Sequence, residues 1–484
     1  MTDKVAIHRL ATHVPGLDEV LGGGVPEFSF NLIAGQPGSG KTTLAHQIMF
    51  GLAGADRPAL YITVLGEPPL KMLRYQQQFD FYDTNLAGQS IRYVNLTQDT
   101  VAGDLGHVLA HIEAEVQAHK PGLVFIDSFR SVVRDVHSNI DSNLSLQHFM
   151  QQLAMLMTSW QATTFLIGEY FTDVESNPVF TVADGLIWLH QRVERNSMVR
   201  QIEIKKMRGQ ASLPGLHAFR LTQSGFEVFS PPRVVPSAST QAASQMQGHR
   251  LKMGVPLLDE MLGGGLPAGH SLLIAGPSGS GKTVLAMAFL VEGARNGETG
   301  VIAAFEQAPK KLPSQEIVAL IQAGQLGVVE GGSLDLSVDE VLTLVLHQVR
   351  KLNASRVVID SLSGLELAVA PSYRTDFRES LLAFVTKLKA AGVTLLLTSE
   401  LEDRYTDLRF SPYDTAFLTD AIIVQRYIEV DSRLRRLMAV VKVRGSAHSD
   451  ELREYRIGRD GIEIGEMLPD REGLLGGRPS KKDI

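Results

Sequence analysis

Gly35-Gln-Pro-Gly-Ser-Gly-Lys-Thr42 and Gly276-Pro-Ser-Gly-Ser-Gly-Lys-Thr283 decide the fold of this chain, and both have the spacing G-x-x-x-x-G-K-[ST]. The glycines of such a loop let consecutive backbone N–H groups turn toward phosphates, the lysine reaches the β- and γ-phosphates, and the threonine hydroxyl ligates Mg²⁺. A helix that begins at the loop adds its positive end. The pattern therefore predicts two nucleoside triphosphate sites in one chain.

Both loops have the strand–loop–helix context that the motif requires. Apolar runs at 30–34 and 271–275 precede the loops, and helical patterns at 43–52 and 284–293 follow them. The predicted phosphate-binding residues are Gly38, Ser39, Gly40, Lys41, Thr42 and Thr43 in the first loop, and Gly279, Ser280, Gly281, Lys282, Thr283 and Val284 in the second.

Composition indicates a cytoplasmic globular protein. The chain has 484 residues, a formal charge of -7, 44% hydrophobic residues and no cysteine. Its N-terminus has no apolar signal sequence, and no run reaches the roughly 18 apolar residues that span a bilayer. We therefore expect no membrane association. Both halves are net acidic, so we expect no stable nucleic-acid binding. The histidines show no ligand spacing, so we expect no metal besides Mg²⁺.

A repeat extends well beyond the phosphate loops. Three further pairs of segments recur in the same order: Leu21-Gly-Gly-Gly-Val-Pro26 and Leu262-Gly-Gly-Gly-Leu-Pro267, Phe125-Ile-Asp-Ser128 and Val358-Ile-Asp-Ser361, and Lys206-Met-Arg-Gly209 and Lys442-Val-Arg-Gly445. Such self-similarity predicts a tandem duplication of one domain. Within each copy, short apolar strands alternate with longer helical patterns, which indicates a mostly parallel twisted sheet with helices on both faces. The predicted boundaries are a first domain at 1–229, a linker at 230–248, a second domain at 249–466, and a C-terminal loop and short tail at 467–484.

A second metal ligand is expected where an apolar strand ends beside the phosphate loop. Asp127 and Asp360 occupy that position in the two copies, so we predict that they hold Mg²⁺ together with Thr42 and Thr283.

Glu67 and Glu306 are the candidate general bases for the attacking water, because each follows the next strand of its copy. Their equivalence stays open. Anchoring on Pro69 and Pro309 places Gly66 opposite Glu306, whereas a slip of one residue pairs the two glutamates.

The arrangement resembles the KaiC family of RecA-like ATPases. The resemblance rests on two fused domains, Leu-Asp-Glu-x-Leu-Gly-Gly-Gly before the first strand, the Gly-Lys-Thr loops, Ile-Asp-Ser at a strand end, and Lys-x-Arg-Gly near each domain's close. It implies two tandem RecA-like P-loop domains, a homohexamer of two stacked rings, and ATP held between neighbouring subunits with Mg²⁺. It also implies a KaiB-like or two-component signalling protein as partner.

Subunit interfaces give a role to Lys206, Arg208, Lys442 and Arg444. Alternate residues of a strand face the same side, so each pair can present two cations to a nucleotide on the adjacent chain. There they would neutralise charge that develops on the γ-phosphate.

The family pattern breaks at the phosphoacceptor pair. In the clock member of the family a Ser-Thr pair accepts phosphate, and Ala416 and Phe417 stand at the corresponding positions here. Phosphorylation at the usual acceptors is therefore excluded. The nearby hydroxyl side chains are Ser411, Tyr413, Thr415 and Thr419.

The leading hypothesis is a hexameric ATP-hydrolysing signalling or timing protein. Two alternatives are a serine/threonine autokinase that uses shifted acceptors and a RecA-like DNA-dependent ATPase, which shares the same sheet and loop. In a third alternative one ring is structural, and nucleotide in the first copy mainly holds subunits together.

Overall fold

The computed structural model describes residues 7–63, 69–96, 105–128, 140–171, 178–194, 197–230, 249–305, 315–331, 335–401, 418–430, 432–459, 461–467, 471–472 and 480–481. The chain divides into two compact units, Met1–Pro231 and Pro232–Ile484. We call them the first and second unit.

The first unit alternates strands and helices over much of its length and ends in four consecutive strands. Its strands are β1 (Arg9–Leu10), β2 (Val25–Pro26), β3 (Phe30–Gly35), β4 (Ala59–Thr63), β5 (Ile91–Asn95), β6 (Leu123–Asp127), β7 (Thr163–Glu169), β8 (Gly185–Glu194), β9 (Ser197–Met207), β10 (Leu216–Thr222) and β11 (Gly225–Phe229). Its helices are α1 (Leu17–Leu21), α2 (Lys41–Leu52), α3 (Pro69–Gln76), α4 (Thr84–Gln89), α5 (Leu105–His119), α6 (Ile140–Ser159) and α7 (Pro178–Val182).

The second unit repeats the order of the strands in the main sheet, whereas its described helices are arranged differently. Its strands are β12 (Arg250–Leu251), β13 (Leu266–Pro267), β14 (Ser271–Gly276), β15 (Gly300–Ala304), β16 (Leu326–Glu330), β17 (Arg356–Asp360), β18 (Thr394–Glu400), β19 (Ala421–Val430), β20 (Arg433–Val443), β21 (Arg453–Gly458), β22 (Gly461–Met467), β23 (Arg471–Glu472) and β24 (Ser480–Lys481). Its helices are α8 (Pro256–Met261), α9 (Lys282–Arg295), α10 (Gln315–Gln322), α11 (Val338–Leu352), α12 (Leu362–Ala368), α13 (Pro371–Arg374) and α14 (Phe377–Ala390).

Each unit is built on one nine-stranded sheet, with the order β11-β10-β9-β8-β3-β7-β6-β4-β5 in the first and β16-β15-β17-β18-β14-β19-β20-β21-β22 in the second. Strands β8, β3, β7, β6, β4 and β5 pair in parallel, and β9, β10 and β11 extend the sheet as an antiparallel ribbon. Since parallel strands end at the same edge, the phosphate loop and the end of β6 lie on one side of the sheet. The α/β fold class predicted from the sequence is confirmed.

Both faces of each sheet are buried. Leu32 and Ala34 of β3 pack into one apolar cluster and Ile33 into another, because successive side chains of a strand point to opposite faces. Strand β14 repeats the pattern, with Leu272 and Leu273 in different clusters. Strands buried on both faces explain the continuous apolar runs of the sequence. Among the described residues, no helix is both long enough and apolar enough to cross a bilayer.

Candidate nucleotide sites

Each phosphate loop turns through glycines that have left-handed backbone angles. In the first unit Gly38 has φ 77° and Gly40 has φ 96°, and in the second Gly279 and Gly281 have φ 74° and 98°. Side chains other than hydrogen are strained in this region, so the loop requires glycine at these positions. Gly40 and Gly281 immediately precede α2 and α9, whose free N–H groups therefore face the loop.

The loop lysines lie over their own loops. The Nζ atom of Lys41 donates to the carbonyl of Gln36 at 2.8 Å, and Lys282 Nζ donates to the carbonyl of Gly276 at 2.8 Å. Burial lowers the pKa of Lys41, while the Asp127 and Glu169 carboxylates oppose that shift. A desolvated ammonium group at this point suits a phosphate oxygen, because Coulomb attraction is strongest where water is excluded.

The predicted metal ligands meet in both units. Thr42 Oγ1 donates to Asp127 Oδ2 at 2.8 Å, and Thr283 Oγ1 donates to Asp360 Oδ2 at 2.9 Å. A hydroxyl and a carboxylate form the all-oxygen donor set that Mg²⁺ prefers, so the residues present fit this ion. Burial raises the pKa of Asp127, against hydrogen bonds from Thr42 and Tyr61 and the charge of Lys41.

A second carboxylate borders each cleft, and the sequence reasoning missed it. Glu169 ends β7 in register with Gly35, and Glu400 ends β18 in register with Gly276. The charge of Glu169 opposes the lowering of the Lys41 pKa and contributes to the raising of the Asp127 pKa, so it lies near both groups. The available signal was the repeat itself, because both copies end this strand in glutamate.

The candidate bases Glu67 and Glu306 lie outside the described residues, although the strands before them are described. Thr63 at the end of β4 pairs with Asp127, and Ala304 at the end of β15 pairs with Asp360, so the two strands are in step. Glu306 is the second residue after the end of β15, and Glu67 is the fourth residue after the end of β4. Along the sequence, the two glutamates therefore stand at different distances from the ends of corresponding strands.

Several other predicted features also lie outside the described residues. They are Gly66, most of the linker (231–248), the positions Ala416 and Phe417, and the candidate acceptors Ser411, Tyr413 and Thr415. Of the candidate acceptors, Thr419 is described, and it is buried.

The cations of the first unit lie away from its own phosphate loop. Lys206 Nζ donates to the carbonyl of Thr181 at 3.1 Å, and an Arg208 guanidinium nitrogen lies 3.1 Å from Asp184 Oδ1. Asp184 Oδ2 also accepts from the backbone N–H of Phe30 at 3.0 Å. Phe30 begins β3 and the phosphate loop follows the end of β3. These cations therefore lie at the opposite end of the parallel strands, about 17 Å from the loop, which is the length of a six-residue strand.

The second unit repeats this placement. Lys442 Nζ donates to the carbonyl of Thr419 at 2.7 Å, and Arg444 lies 3.7 Å from Asp420 Oδ1. Asp420 Oδ2 accepts from the N–H of Ser271, the first residue of β14. Neither unit therefore brings its Lys–Arg pair to its own loop.

Three side chains hold the phosphate loop of the second unit: Gln425 and Tyr427 of β19, which pairs in parallel with β14, and Tyr455 of β21, in the antiparallel ribbon formed by β20, β21 and β22. Gln425 Oε1 accepts from Ser280 Oγ at 2.9 Å, and the Tyr455 hydroxyl donates to the Ser280 carbonyl at 2.6 Å. The Tyr427 hydroxyl donates to the carbonyl of Ser278 at 3.4 Å. These groups restrain the loop from the side of the ribbon.

The first unit holds its loop differently. Leu189 and Phe219 occupy the strand positions of Gln425 and Tyr455, so neither can make the corresponding hydrogen bond. Gln191 Nε2 instead donates to the carbonyl of Pro37 at 2.7 Å. The Ser39 hydroxyl is buried with no hydrogen-bond partner among the described residues. The two loops thus share a backbone path and differ in their restraints.

The fold and these sites define a tandem pair of RecA-like P-loop ATPase domains. A sequence model of the KaiC ATPase family matches residues 10–233 and 251–468, and the chain belongs to that family. It is 26% identical to the "Circadian clock oscillator protein KaiC 1" of a Synechocystis species, over 99% of this chain and 93% of that protein. The "Circadian clock oscillator protein KaiC" of a Picosynechococcus species is 25% identical, over 98% and 93%.

Proposed function

We propose that this chain is a KaiC-like protein that binds and hydrolyses Mg²⁺-ATP as a homohexamer of two stacked rings. The position of the Lys–Arg pairs carries the proposal, because in each unit they lie at the sheet edge opposite the phosphate loop. A neighbouring subunit of a ring can bring such a pair to a loop. ATP then lies between subunits, and its presence controls how the ring packs.

Within one cleft of the first ring, Lys41 binds the β/γ-phosphates, and Thr42 with Asp127 holds the ion that ATP carries. Bound Mg²⁺ supplies Lewis-acid stabilisation of the phosphate oxygens. Glu67 accepts a proton from the attacking water, and Arg208 of the adjacent chain neutralises charge on the γ-phosphate. In the first ring, Lys206 of the adjacent chain acts beside Arg208. The second ring uses the corresponding residues Lys282, Thr283, Asp360, Glu306, Lys442 and Arg444.

We place the output of this cycle in signalling or timing in the cytoplasm, in keeping with the names of the two clock relatives. A KaiB-like or two-component signalling protein would read the nucleotide state of the rings. Ala416 and Phe417 have no hydroxyl, so phosphate transfer to the usual acceptor pair plays no part.

Mixed hexamers test the interface. One chain carries Glu67→Gln and Glu306→Gln, which removes the bases and leaves the loops and cations. The other carries Arg208→Ala and Arg444→Ala, which removes the arginines and leaves the loops and bases. Each chain alone is expected to lose at least about 100-fold in ATP turnover. Mixed and reassembled, they regain turnover, because in some clefts one chain supplies an intact loop and base and its neighbour supplies an intact arginine.

The controls are remixed samples of each variant with itself and light scattering in Mg²⁺-ATP. Failure of the mixture to recover, with hexamers present, would reject the trans role of the arginines. A wild-type chain that stays monomeric in saturating Mg²⁺-ATP would reject the ring itself.

A further inference from the structure

We infer that Tyr61 in the first unit and Thr398 in the second are positioning residues for the Mg²⁺-binding carboxylate, which the two units hold from opposite neighbouring strands. The inference rests on the proposed function and concerns how each cleft orients its Asp.

In the first unit, Asp127 Oδ2 accepts two hydrogen bonds, from Thr42 Oγ1 and from the Tyr61 hydroxyl, each at 2.8 Å. Tyr61 belongs to β4, the strand on one side of β6. Its side chain is fully buried, and its ring stacks on Phe125 with centroids 6.1 Å apart. The phenol is therefore a fixed donor.

In the second unit, the donor comes from the other side. Thr398 belongs to β18, and its Oγ1 donates to Asp360 Oδ1 at 2.5 Å, while Thr283 donates to Oδ2. Thr398 is also fully buried. Each oxygen of Asp360 thus accepts one hydroxyl, whereas both donors of Asp127 share a single oxygen.

Neither unit can form the arrangement of the other, because the residue at the corresponding position has no hydroxyl. Ile302 occupies in β15 the place of Tyr61 in β4, and Ile167 occupies in β7 the place of Thr398 in β18. Both isoleucines are fully buried and offer no donor. Besides the phosphate-loop threonine, each copy therefore has one hydroxyl beside the metal-binding carboxylate, and that hydroxyl belongs to a different neighbouring strand in each copy.

A carboxylate with a second fixed donor loses rotation about its Cβ–Cγ bond, so its free lone pairs keep one direction. Hydrogen bonds to a metal-binding group from outside the ligand set commonly change metal affinity by about 10- to 100-fold. Tyr61 and Thr398 should therefore govern how much Mg²⁺ each cleft needs, and should leave metal-free nucleotide binding unchanged.

Equilibrium dialysis of the full chain against radiolabelled AMP-PNP, a non-hydrolysable analogue, tests this as free Mg²⁺ is varied. With Tyr61→Phe, half of the bound analogue is expected to require about 10-fold more Mg²⁺. Thr398→Val shifts the other half, the double variant shifts all of it, and Thr398→Ser restores the wild-type curve.

Two matched variants control for lost hydroxyls in general. The Tyr93 hydroxyl and the Ser399 hydroxyl are buried without a hydrogen-bond partner among the described residues, so Tyr93→Phe and Ser399→Ala should leave the Mg²⁺ curve in place. Binding in EDTA should be equal in all variants.

An unshifted Mg²⁺ curve in Tyr61→Phe or Thr398→Val overturns the inference. Equal shifts in the matched controls, or an equal loss in EDTA, overturn it as well, because they indicate general damage to the fold. A wild-type chain that binds no AMP-PNP at any Mg²⁺ concentration rejects the proposed function and the inference together. Binding without any effect of the hydroxyls rejects the inference alone.

Discussion

Tyr455 donates a hydrogen bond of 2.6 Å to the carbonyl of Ser280, and so a strand of the antiparallel ribbon restrains the phosphate loop of the second unit. Both residues are buried, which makes an unsatisfied carbonyl costly. The first unit has Phe219 at the position of Tyr455, and its loop forgoes this restraint. The two phosphate loops of one chain are therefore held by different contacts.

Tyr455→Phe should weaken ATP binding at the second-unit site and spare the first. Loss of one neutral hydrogen bond costs about 1 kcal/mol, or roughly fivefold in affinity. Calorimetric titration of the full chain with ATP should resolve two classes of site, of which one weakens. Tyr427→Phe is the matched control, because its bond to Ser278 is long, at 3.4 Å, and exposed. Equal effects of the two substitutions would contradict the prediction.

Acid should destabilise the first unit through His46. Burial lowers the pKa of His46 to about 4, from 6.5 in an unfolded chain. The unfolded state binds the proton first, so the free energy of unfolding falls as pH drops from about 6.5 toward about 4, by roughly 3 kcal/mol. His46→Met, which copies Met287 of the second unit, should remove this dependence.

Tryptophan fluorescence reports the unfolding of the first unit selectively. Trp160 and Trp188, the only tryptophans of the chain, both belong to the first unit. Urea unfolding at pH 7 and at pH 4.5 should show a smaller difference for His46→Met than for wild type. His148→Met, at an exposed position of α6, should behave as wild type. An unchanged difference in His46→Met would count against the buried histidine as the cause.

The second unit should depend on the pair Arg356 and Glu298. The Arg356 side chain is 1% exposed, and its Nε donates to Glu298 Oε2. The Arg356 guanidinium group also lies over the ring of Phe289, with its central carbon 4.4 Å from the ring centroid. Glu298→Ala leaves this buried charge without its carboxylate and should destabilise the second unit by about 3 kcal/mol.

Far-UV circular dichroism during urea unfolding checks this, while tryptophan fluorescence reports the first unit as an internal reference. Arg356→Leu, which introduces the residue found at Leu123 of the first unit, should cost less than Glu298→Ala. Glu316→Ala is the surface control, because its pair with Arg295 is exposed and is expected to contribute at most about 1 kcal/mol. A larger loss in that control would argue against the role of burial.

Glu306→Gln should suppress most turnover in the second ring, by about 10²- to 10⁴-fold, because the amide cannot accept a proton from water. ATP binding should persist. Quenched-flow measurement of ADP release in a Glu67→Gln background isolates this ring, and Glu306→Gln alone measures the first. Equal hydrolysis by wild type and Glu306→Gln would refute the base assignment.

Lys41→Ala should instead impair hexamer assembly more than Lys282→Ala, as light scattering would show.

Much of the fold could be predicted because its signals are local. A buried parallel strand is a short apolar run, a phosphate loop needs glycines at stated steps, and a helix shows its period within a dozen residues. The predicted helix at 284–293 is part of α9, and the predicted strand at 30–34 is part of β3. The repeat then allowed one copy to be interpreted through the other.

The sequence by itself determined the two phosphate loops, the tandem α/β domains and the absence of hydroxyls at Ala416 and Phe417, since each follows from residue type and spacing along the chain. Only the tertiary structure decided what lies beside what across the sheet. Glu169 borders the cleft, and Tyr61 and Thr398 approach their carboxylates from opposite strands, because the order of the strands sets those neighbours. Strand order depends on contacts between residues far apart in the chain, which no local pattern records.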